Sequence, residues 1–339
     1  MDILIAKDIS PAGLHRVREL AAGSSVNCIA PFAPGAVLPT AQIAGCQVLF
    51  ADFPPQNLTE MKRLEWLQLG SAGYEQLQGC PLREMGVRVT TGSGVNDIPI
   101  AEWCVNMMLM FERDVLGLLE NQKQRLWDRS SKFQSELWGR RVGILGYGNI
   151  GRQVARLCRC LGLDVWAMGR RPIGRRPNRF VVPGTGDPDG TLPQRTFLVE
   201  QMADFLPHLD YLVLSVPLTP ETRDLLSERE LRLMRPRAFL LNPSRGSLVN
   251  EAALLRALRE KWIAGAALDA HYQYPLPPEH PLWALPNVIL TPHISGSTAS
   301  RHYLARLWEL FAGNLERYLQ GQPLMNELSS GDLLGGVQR

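Results

Sequence analysis

Short apolar runs alternate with longer amphipathic segments along almost the whole chain. Apolar runs of about four to eight residues are typical of strands that are buried on both faces of a parallel sheet. The first part of the chain contains such runs at positions 3–6, 26–30, 47–50, 66–69 and 87–90. A second series follows at positions 142–145, 164–168, 211–216, 238–241, 266–268 and 288–290. Because helix candidates separate the runs, the pattern predicts an α/β fold with two doubly wound parallel sheets.

Amphipathic segments with helical spacing lie between these strands. Two of them are long, and they predict helices over residues 99–119 and 299–319. Each carries an apolar stripe, which indicates a buried face or a subunit interface. Residues that cap first turns mark three further helix starts. These residues are Ser10, Ser227 and Asn250.

One connection departs from this alternation. Residues 172–195 are rich in proline and glycine, and only 179–182 resemble a strand. An irregular stretch of that length is unusual inside a compact domain. We therefore predict an excursion of the chain at this point.

Composition and charge narrow the class of protein. With 339 residues, of which 45% are hydrophobic, the chain is long enough for about two domains. The formal net charge of +3 is small for this length, so neither nucleic acid nor a membrane surface is an expected partner. The most apolar stretch, near residues 103–111, is too short to span a bilayer.

The cysteines and histidines show no spacing that suggests metal binding. The six cysteines include no CxxC pair, which is typical of reduced thiols in a cytoplasmic protein. The start of the chain enters a strand pattern directly and shows no secretory signal. We therefore expect a cytoplasmic location and no metal site.

The apolar run at 142–145 passes into glycines and then into a helical pattern. Gly146 permits a tight turn, Gly148 allows a phosphate to approach the backbone, and Gly151 lets the helix pack closely on the strand. The first turn of the helix offers N–H groups and the positive end of its dipole to an anion. The position of these glycines between strand and helix predicts a dinucleotide-binding turn.

The next strand ends without the acidic residue that would hold the ribose hydroxyls of NAD, which is expected roughly 20 residues past the glycines. Arg170 and Arg171 stand there instead. Guanidinium groups suit a phosphate in charge and geometry, so we favour NADP(H), with NAD(H) as the alternative. A solvated basic loop is the other interpretation, since Arg175 and Arg176 continue the run.

Polar residues follow three of the later strands. Arg245, Asp269 and His293 come after strand candidates that should end on the same edge as the glycine turn. An arginine can hold a carboxylate, and a histidine can exchange a proton. In the first part of the chain, Ser71-Ala72-Gly73 also follows a strand, and it is compatible with either a ligand site or an ordinary turn.

With these residues in view, the sequence resembles the D-2-hydroxyacid dehydrogenase family over nearly the whole chain. The resemblance implies a Rossmann cofactor domain, residues 101–291, inserted into a flavodoxin-like substrate domain made of residues 1–100 and 292–339. The motifs that carry it are Gly146-Tyr147-Gly148-Asn149-Ile150-Gly151, Val216-Pro217-Leu218-Thr219-Pro220-Glu221-Thr222, residues 242–246, Ala267-Leu268-Asp269, His280-Pro281-Leu282-Trp283, and residues 286–293.

The resemblance also implies roles by position. Arg245 would bind the carboxylate and carbonyl oxygen of the substrate, and His293 would be the acid/base. Asp269 would contact the nicotinamide amide, and the backbone of Ser71, Ala72 and Gly73 would meet the substrate carboxylate. The other residues expected around the cofactor are Gly146, Gly148, Asn149, Ile150, Gly151, Arg170, Arg171, Val216, Pro217, Pro243, Ser244, His293 itself and Gly296.

One position departs from the family pattern. The family places a glutamate that bonds the catalytic histidine just before a proline, and here Tyr274 precedes Pro275. A carboxylate would raise the pKa of the imidazole, whereas a neutral phenol only orients the ring. Tyr274 could orient His293 at a lower working pH, Glu279 or Glu102 could replace the acid, or the substrate could require no proton. We prefer the first explanation.

The expected activity is reduction of a small 2-oxoacid, such as glyoxylate or hydroxypyruvate, by NADPH. One alternative is oxidation of a formate-like or phosphite-like donor. Another is a non-catalytic dinucleotide-sensing scaffold that resembles the dehydrogenase-derived corepressors. We expect a homodimer, with the helix that begins near residue 99 as a candidate interface.

Overall fold

The computed structural model describes residues 1–130 and 135–333, and the chain divides into two compact units. The first unit combines Met1–Asn96, Pro177–Val182 and the chain from Thr298 onward. The second unit combines Asp97–Arg176 and Pro183–Ser297. The sequence placed residues 177–182 with the cofactor domain, whereas in the structure they belong to the first unit.

Both units are built on parallel sheets. The strands are β1 (Asp2–Ala6), β2 (Ser25–Cys28), β3 (Val48–Ala51), β4 (Trp66–Leu69), β5 (Arg88–Thr90), β6 (Arg141–Leu145), β7 (Asp164–Gly169), β8 (Arg195–Leu198), β9 (Tyr211–Leu214), β10 (Phe239–Asn242), β11 (Gly265–Leu268) and β12 (Val288–Leu290). The helices are α1 (Pro11–Leu20), α2 (Thr40–Ile43), α3 (Asp97–Glu112), α4 (Val115–Lys123), α5 (Asn149–Cys160), α6 (Met202–Phe205), α7 (Glu228–Leu233), α8 (Glu251–Arg259), α9 (Arg301–Leu319) and α10 (Ser330–Leu333).

The strand orders are those of doubly wound α/β folds. The sheet of the first unit has the order β2-β1-β3-β4-β5, which is the flavodoxin-like order. The sheet of the second unit has the order β12-β11-β10-β9-β6-β7-β8, which is the Rossmann order extended by one strand. The predicted fold class is therefore confirmed.

Aromatic residues of α9 form much of the core of the first unit. The ring of Phe311 stacks on Phe50 of β3 at a centroid distance of 4.4 Å and lies 5.4 Å from the ring of Trp66 in β4. Trp308 lies so close to Gly13 of α1 that a side chain at position 13 would collide with it. The helix near the end of the chain therefore completes the unit that the first residues begin.

The connection between β7 and β8 corrects one prediction and leads into a strand that the sequence did not predict. Residues 179–182 do not form a strand. Instead, Phe180 is buried in the core of the first unit, where its N–H donates to the side chain of Asn326. The strand is β8, which the sequence did not predict because this edge strand buries only Phe197 of its four residues and so lacks an apolar run.

The long helix predicted over residues 99–119 is in fact two helices. Asp114 adopts a left-handed backbone conformation with φ 43°, and its carboxylate accepts a hydrogen bond from the N–H of Gly117. Aspartate caps a new helix more readily than it continues an old one, which explains the break.

The three predicted helix starts are confirmed. Ser10 caps α1, Ser227 forms a capping box with Glu230 at α7, and Asn250 caps α8. Across the part of the chain that is described, no helix has both the length and the hydropathy that a membrane crossing requires.

Candidate active site

The carboxyl ends of the strands in the second unit bring the predicted functional segments to one edge of the sheet. Leu145 of β6 pairs with Leu214 of β9, and Asn242 of β10 pairs with Leu268 of β11, which pairs in turn with Leu290 of β12. The glycine turn and the loops that carry Arg245, Asp269 and His293 follow these positions directly. Ligands of open α/β sheets bind at this edge.

The glycine turn fits a pyrophosphate. Gly146 has φ 98°, and a side chain there would lie 2.6 Å from the carbonyl oxygen of Ser215. A side chain at Gly151 would collide with the carbonyl oxygen of Gly146. Gly148 precedes α5 and gives no side-chain cap to the helix. Among the described residues other than its chain neighbours, only Arg176 places an atom within 4 Å of a Cβ at this position. The backbone at Gly148 therefore faces space that phosphate groups can occupy.

Several predicted cofactor residues lie beside this turn. The Cγ1 atom of Val216 lies 2.6 Å from a Cβ placed at Gly146. The hydroxyl of Ser244 donates to the carbonyl oxygen of Leu214 at 2.7 Å, and the neighbouring Pro243 is buried. Asn149 and Ile150 form the first turn of α5, and Pro217 and Gly296 follow β9 and β12. Arg170 and Arg171 are exposed immediately after β7.

Asn242 holds the loop that carries Arg245. Its buried amide donates to the carbonyl oxygen of Arg245 at 2.8 Å and accepts from the N–H of Ser244 at 3.1 Å. The half-buried guanidinium of Arg245 donates to the carbonyl oxygen of Ser244 at 2.8 Å. The backbone that presents the arginine is therefore fixed at both ends of the turn.

Asp269 holds the loop that carries His293. Its fully buried carboxylate accepts hydrogen bonds from the hydroxyl of Thr291 at 2.6 Å and from the N–H groups of Ile294 and Ser295 at 2.9 Å each. These bonds surround His293, whose backbone has φ 57°. The expected contact of Asp269 with a nicotinamide amide stays a prediction, and the structure shows that this residue positions the histidine loop.

The phenol of Tyr274 hydrogen-bonds the imidazole of His293. The Nδ1 atom of His293 lies 2.8 Å from Oη of Tyr274, which also accepts from the N–H of His271 at 3.1 Å. Tyr274 thus occupies the place beside the histidine that the family gives to glutamate. This geometry supports the first of the three explanations for the tyrosine.

The loop of Arg245 also adjoins the segment that carries Tyr274. A Cβ placed at Gly246 would lie 2.9 Å from the backbone nitrogen of Tyr272, so only glycine allows the two segments to pack so closely. The segment 271–274 therefore links the loop of Arg245 to the ring of His293. The ring of His271 is buried and contributes to this structure, with Nε2 donating to the carbonyl oxygen of Thr291 at 2.8 Å.

Sequence reasoning missed the residues that position the site. Thr291 and Trp103 act through hydrogen bonds to distant parts of the chain, since the hydroxyl of Thr291 donates to Asp269 and the indole of Trp103 donates to that hydroxyl at 3.2 Å. The side chain of Asn242 instead bonds within its own turn. The only local signal was the polar character of Asn242 and Thr291 at the ends of apolar strands. Within residues 1–130 and 135–333, no group of three or more His, Cys, Asp or Glu side chains is arranged to hold a metal ion.

The loop Ser71–Gly73 lies in the first unit, directly after β4. The hydroxyl of Ser71 donates to the carbonyl oxygen of Gly73 at 2.7 Å and accepts from the side chain of Gln76 at 2.9 Å. The N–H of Gly92 donates to the carbonyl oxygen of Ser71 at 2.7 Å. These bonds order the loop, and its expected role in binding substrate stays a prediction.

The sheet order and the glycine turn define the second unit as a dinucleotide-binding domain, and the histidine and arginine loops at its edge are suited to a dehydrogenase. Residues 105–295 match the model of the D-isomer specific 2-hydroxyacid dehydrogenase NAD-binding domain. The chain belongs to this family, whose members are NAD(P)-dependent 2-hydroxyacid dehydrogenases.

Individual relatives agree with this assignment. A glyoxylate reductase of Thermofilum pendens is 34% identical over 256 residues, covering 74% of this chain and 71% of that protein. A glyoxylate reductase of Aeropyrum pernix is 32% identical over 272 residues, covering 78% and 76%. The structure of a D-isomer specific 2-hydroxyacid dehydrogenase from Xanthobacter autotrophicus Py2, in complex with NADPH and MES, superposes with a TM-score of 0.78 at 25% identity, covering 97% of this chain and 98% of that one.

Proposed function

We propose that this protein reduces a small 2-oxoacid, of the size of glyoxylate or hydroxypyruvate, to the 2-hydroxyacid, and that it prefers NADPH. The observation that carries the proposal is the ordered pair of loops at the sheet edge, one presenting Arg245 and the other presenting His293 bonded to Tyr274. The relatives named glyoxylate reductase support the choice of substrate.

Each loop contributes one step of the mechanism. The nicotinamide, when bound, supplies a hydride to the carbonyl carbon of the substrate. Arg245 binds the carboxylate and polarises the carbonyl oxygen, because a guanidinium offers paired donors to both groups. His293 gives its proton to the same oxygen, and its hydrogen bond to Tyr274 through Nδ1 leaves Nε2 for that transfer.

Tyr274 sets the conditions under which His293 works. The phenol fixes the orientation of the ring but adds no negative charge, so it does not stabilise the imidazolium as a carboxylate would. We infer that the pH above which His293 no longer donates a proton is lower with tyrosine at position 274 than it would be with glutamate.

The preference for NADPH is inferred from Arg170 and Arg171. Both are exposed directly after β7, at the end of the strand where the ribose of the adenosine is bound in this fold. The NADPH complex of the relative from Xanthobacter autotrophicus supports the same choice.

The direct test measures reduction of a panel of 2-oxoacids with NADH and with NADPH, and separately measures oxidation of formate and of phosphite with NAD+ and with NADP+. We expect a small 2-oxoacid with NADPH to give the highest kcat/KM. Turnover of formate or phosphite alone would assign the alternative chemistry that a neutral partner of His293 permits. Tight dinucleotide binding without any turnover would instead indicate a sensing scaffold.

We also infer that the protein is a homodimer, with the region of α4 at the interface. Apolar side chains are exposed on this helix and just after it, among them Leu119 at 48%, Leu126 at 55% and Trp127 at 89% of their surface. Clusters of exposed large apolar residues mark association surfaces. A cytoplasmic location stays a prediction, to which the six free cysteines contribute.

A further inference from the structure

Part of the long connection between β7 and β8 folds back onto the glycine turn. Asp187, which is 5% exposed, organises this part, since its carboxylate accepts from the N–H groups of Gly190, Thr191 and Leu192 at 3.1 Å each. The hydroxyl of Tyr147 donates to the same carboxylate at 2.6 Å, so this carboxylate accepts four hydrogen bonds. Tyr147 lies between the first two glycines of the turn, so the connection is attached to the turn itself.

The first turn of α5 provides further attachments. The buried guanidinium of Arg152 donates to the carbonyl oxygen of Asp187 and, at 2.6 Å, to that of Gly174. The side chain of Gln153 accepts from the N–H of Gly186 at 2.6 Å. The segments on both sides of residues 177–182 are thus held by the helix that begins at the glycine turn.

These attachments place Arg176 beside the turn. Gly174, which Arg152 holds, is two residues before it. The Nη1 atom of Arg176 lies 3.5 Å from a Cβ placed at Gly148. Gly148 is the glycine that lets a pyrophosphate approach the backbone, so the guanidinium lies where it can donate to a bound phosphate.

We propose that Arg176 binds the pyrophosphate of the cofactor, and that Arg152, Asp187 and Tyr147 position it. This role differs from that expected for Arg170 and Arg171, which concerns the 2′-phosphate. The proposal rests on the dinucleotide binding that the family implies, and it is independent of the substrate and of the preference for NADPH.

The test compares how four ligands bind to the full-length protein, by calorimetry for NADH and NADPH and by NMR titration for weaker fragments. ADP-ribose carries the pyrophosphate without nicotinamide, and 2′-AMP carries the 2′-phosphate without the pyrophosphate. We expect Arg176→Ala to weaken the binding of NADH, NADPH and ADP-ribose by the same factor, about tenfold, because a charge-assisted contact to phosphate is lost. Binding of 2′-AMP should not change.

Arg175 provides a matched control. It is the neighbouring arginine, its side chain is 84% exposed, and its Nε atom lies 3.9 Å from a carboxylate oxygen of Asp189. Arg175→Ala removes the same charge from the same segment, and we expect it to leave the binding of all four ligands unchanged. The double variant Arg170→Ala, Arg171→Ala should weaken NADPH and 2′-AMP while sparing NADH and ADP-ribose.

A double-mutant cycle separates positioning from general stability. Tyr147→Phe removes one attachment of the connection while keeping the ring, and it should weaken ADP-ribose several-fold in the native protein. In the Arg176→Ala background the same change should have no further effect on ADP-ribose. Thermal unfolding of each variant shows whether it is folded.

Three results would overturn the proposal. Unchanged ADP-ribose binding in Arg176→Ala would show that Arg176 does not contact the pyrophosphate. A loss confined to NADPH and 2′-AMP would instead place Arg176 at the 2′-phosphate. An equal loss of ADP-ribose binding in Arg175→Ala would show that the effect comes from the positive charge of the segment and not from a contact of Arg176. None of these results depends on turnover, so failure of the proposed reductase activity is a separate outcome.

Discussion

Among single residues, Tyr274, whose neutral phenol contacts the proposed acid/base His293, has the clearest expected effect on activity. His293 has a phenol 2.8 Å from its Nδ1 atom, at the position where the family has a carboxylate. A phenol keeps the ring oriented but itself adds no negative charge beside the imidazolium. The pH dependence of 2-oxoacid reduction should therefore change with the residue at position 274.

We expect Tyr274→Glu to extend 2-oxoacid reduction to higher pH. Reduction requires protonated His293, so the rate is lost as pH rises through the pKa of this imidazole. A carboxylate at hydrogen-bond distance raises that pKa, so the falling limb of kcat/KM should move upward by about one unit or more. Tyr274→Phe, as the control, adds no charge, so it should lower kcat without moving the limb upward. A limb that stays in place in Tyr274→Glu would contradict this role for Tyr274.

Asp269 is predicted to matter for both stability and rate. Asp269→Asn replaces an acceptor by an amide whose NH2 group faces N–H donors, so one of the three bonds to the histidine loop is lost. We expect the free energy of unfolding to fall by about 1–3 kcal/mol. The rate should fall by about tenfold or more, since the loop no longer holds His293 in place. Urea unfolding and kcat/KM measure the two effects.

Asp189→Asn is the control for this change. Its side chain is 70% exposed, so neither stability nor rate should change. If Asp269→Asn were as stable and as active as the native protein, Asp269 would not be the residue that holds the loop.

The residues of the site that sequence could predict are those that follow strands directly. Arg245, Asp269 and His293 come soon after apolar runs, and parallel strands that end on one edge place such residues together. The partners that hold them could not be predicted in the same way. Thr291 bonds Asp269, and this contact exists only after the strands have paired. The amide of Asn242 bonds within a turn whose conformation no apolar pattern specifies, and Arg176 continues a basic run that is also compatible with a solvated loop.

At the level of secondary structure elements, strands that are buried on both faces were recognisable and edge or irregular segments were not. The three residues of β12 and the four of its neighbour β11 form apolar runs, whereas β8 buries one side chain. The break between α3 and α4 depends on the backbone of Asp114 rather than on the apolar pattern, which continues through it. The burial of Phe180 in the first unit depends on contacts distant in sequence.

The end of α3 has a buried charge cluster that should stabilise the second unit. The carboxylate of Glu112 accepts hydrogen bonds from the hydroxyls of Tyr211 and Ser135 and from the guanidinium of Arg140. Burial and this carboxylate raise the pKa of Tyr211, so the phenol remains a donor. The cluster lies where β6 and β9 begin, at the opposite end of the strands from the glycine turn.

We expect Glu112→Ala to lower the free energy of unfolding by about 3 kcal/mol, because it leaves buried donors and part of a buried charge without a partner. Urea unfolding measures the change, and the Kd for NADPH should stay the same in the folded variant. Glu200→Ala, an exposed position of the second unit outside α4, is the control and should leave stability unchanged. An unchanged free energy of unfolding in Glu112→Ala would show that the cluster makes no net contribution to stability.

At the scale of the whole molecule, the exposed apolar residues near α4 predict association. Light scattering should give the mass of a dimer, and the double variant Leu126→Ser, Trp127→Ser should shift the equilibrium toward monomer. Val37→Ser is the control, since Val37 is also exposed, at 65%, but lies in the first unit. A native protein that is monomeric at micromolar concentration would contradict the proposed interface.

The central claim is that Arg245 and His293 act together on the carbonyl of a 2-oxoacid. The most direct measurement is kcat/KM for glyoxylate reduction by NADPH in His293→Asn and in Arg245→Gln, with the Kd for NADPH determined beside it. We expect each variant to lose about a thousandfold in kcat/KM while its Kd for NADPH changes little, because proton transfer and oxyanion stabilisation each contribute on that order. Turnover that survives both substitutions would contradict the claim.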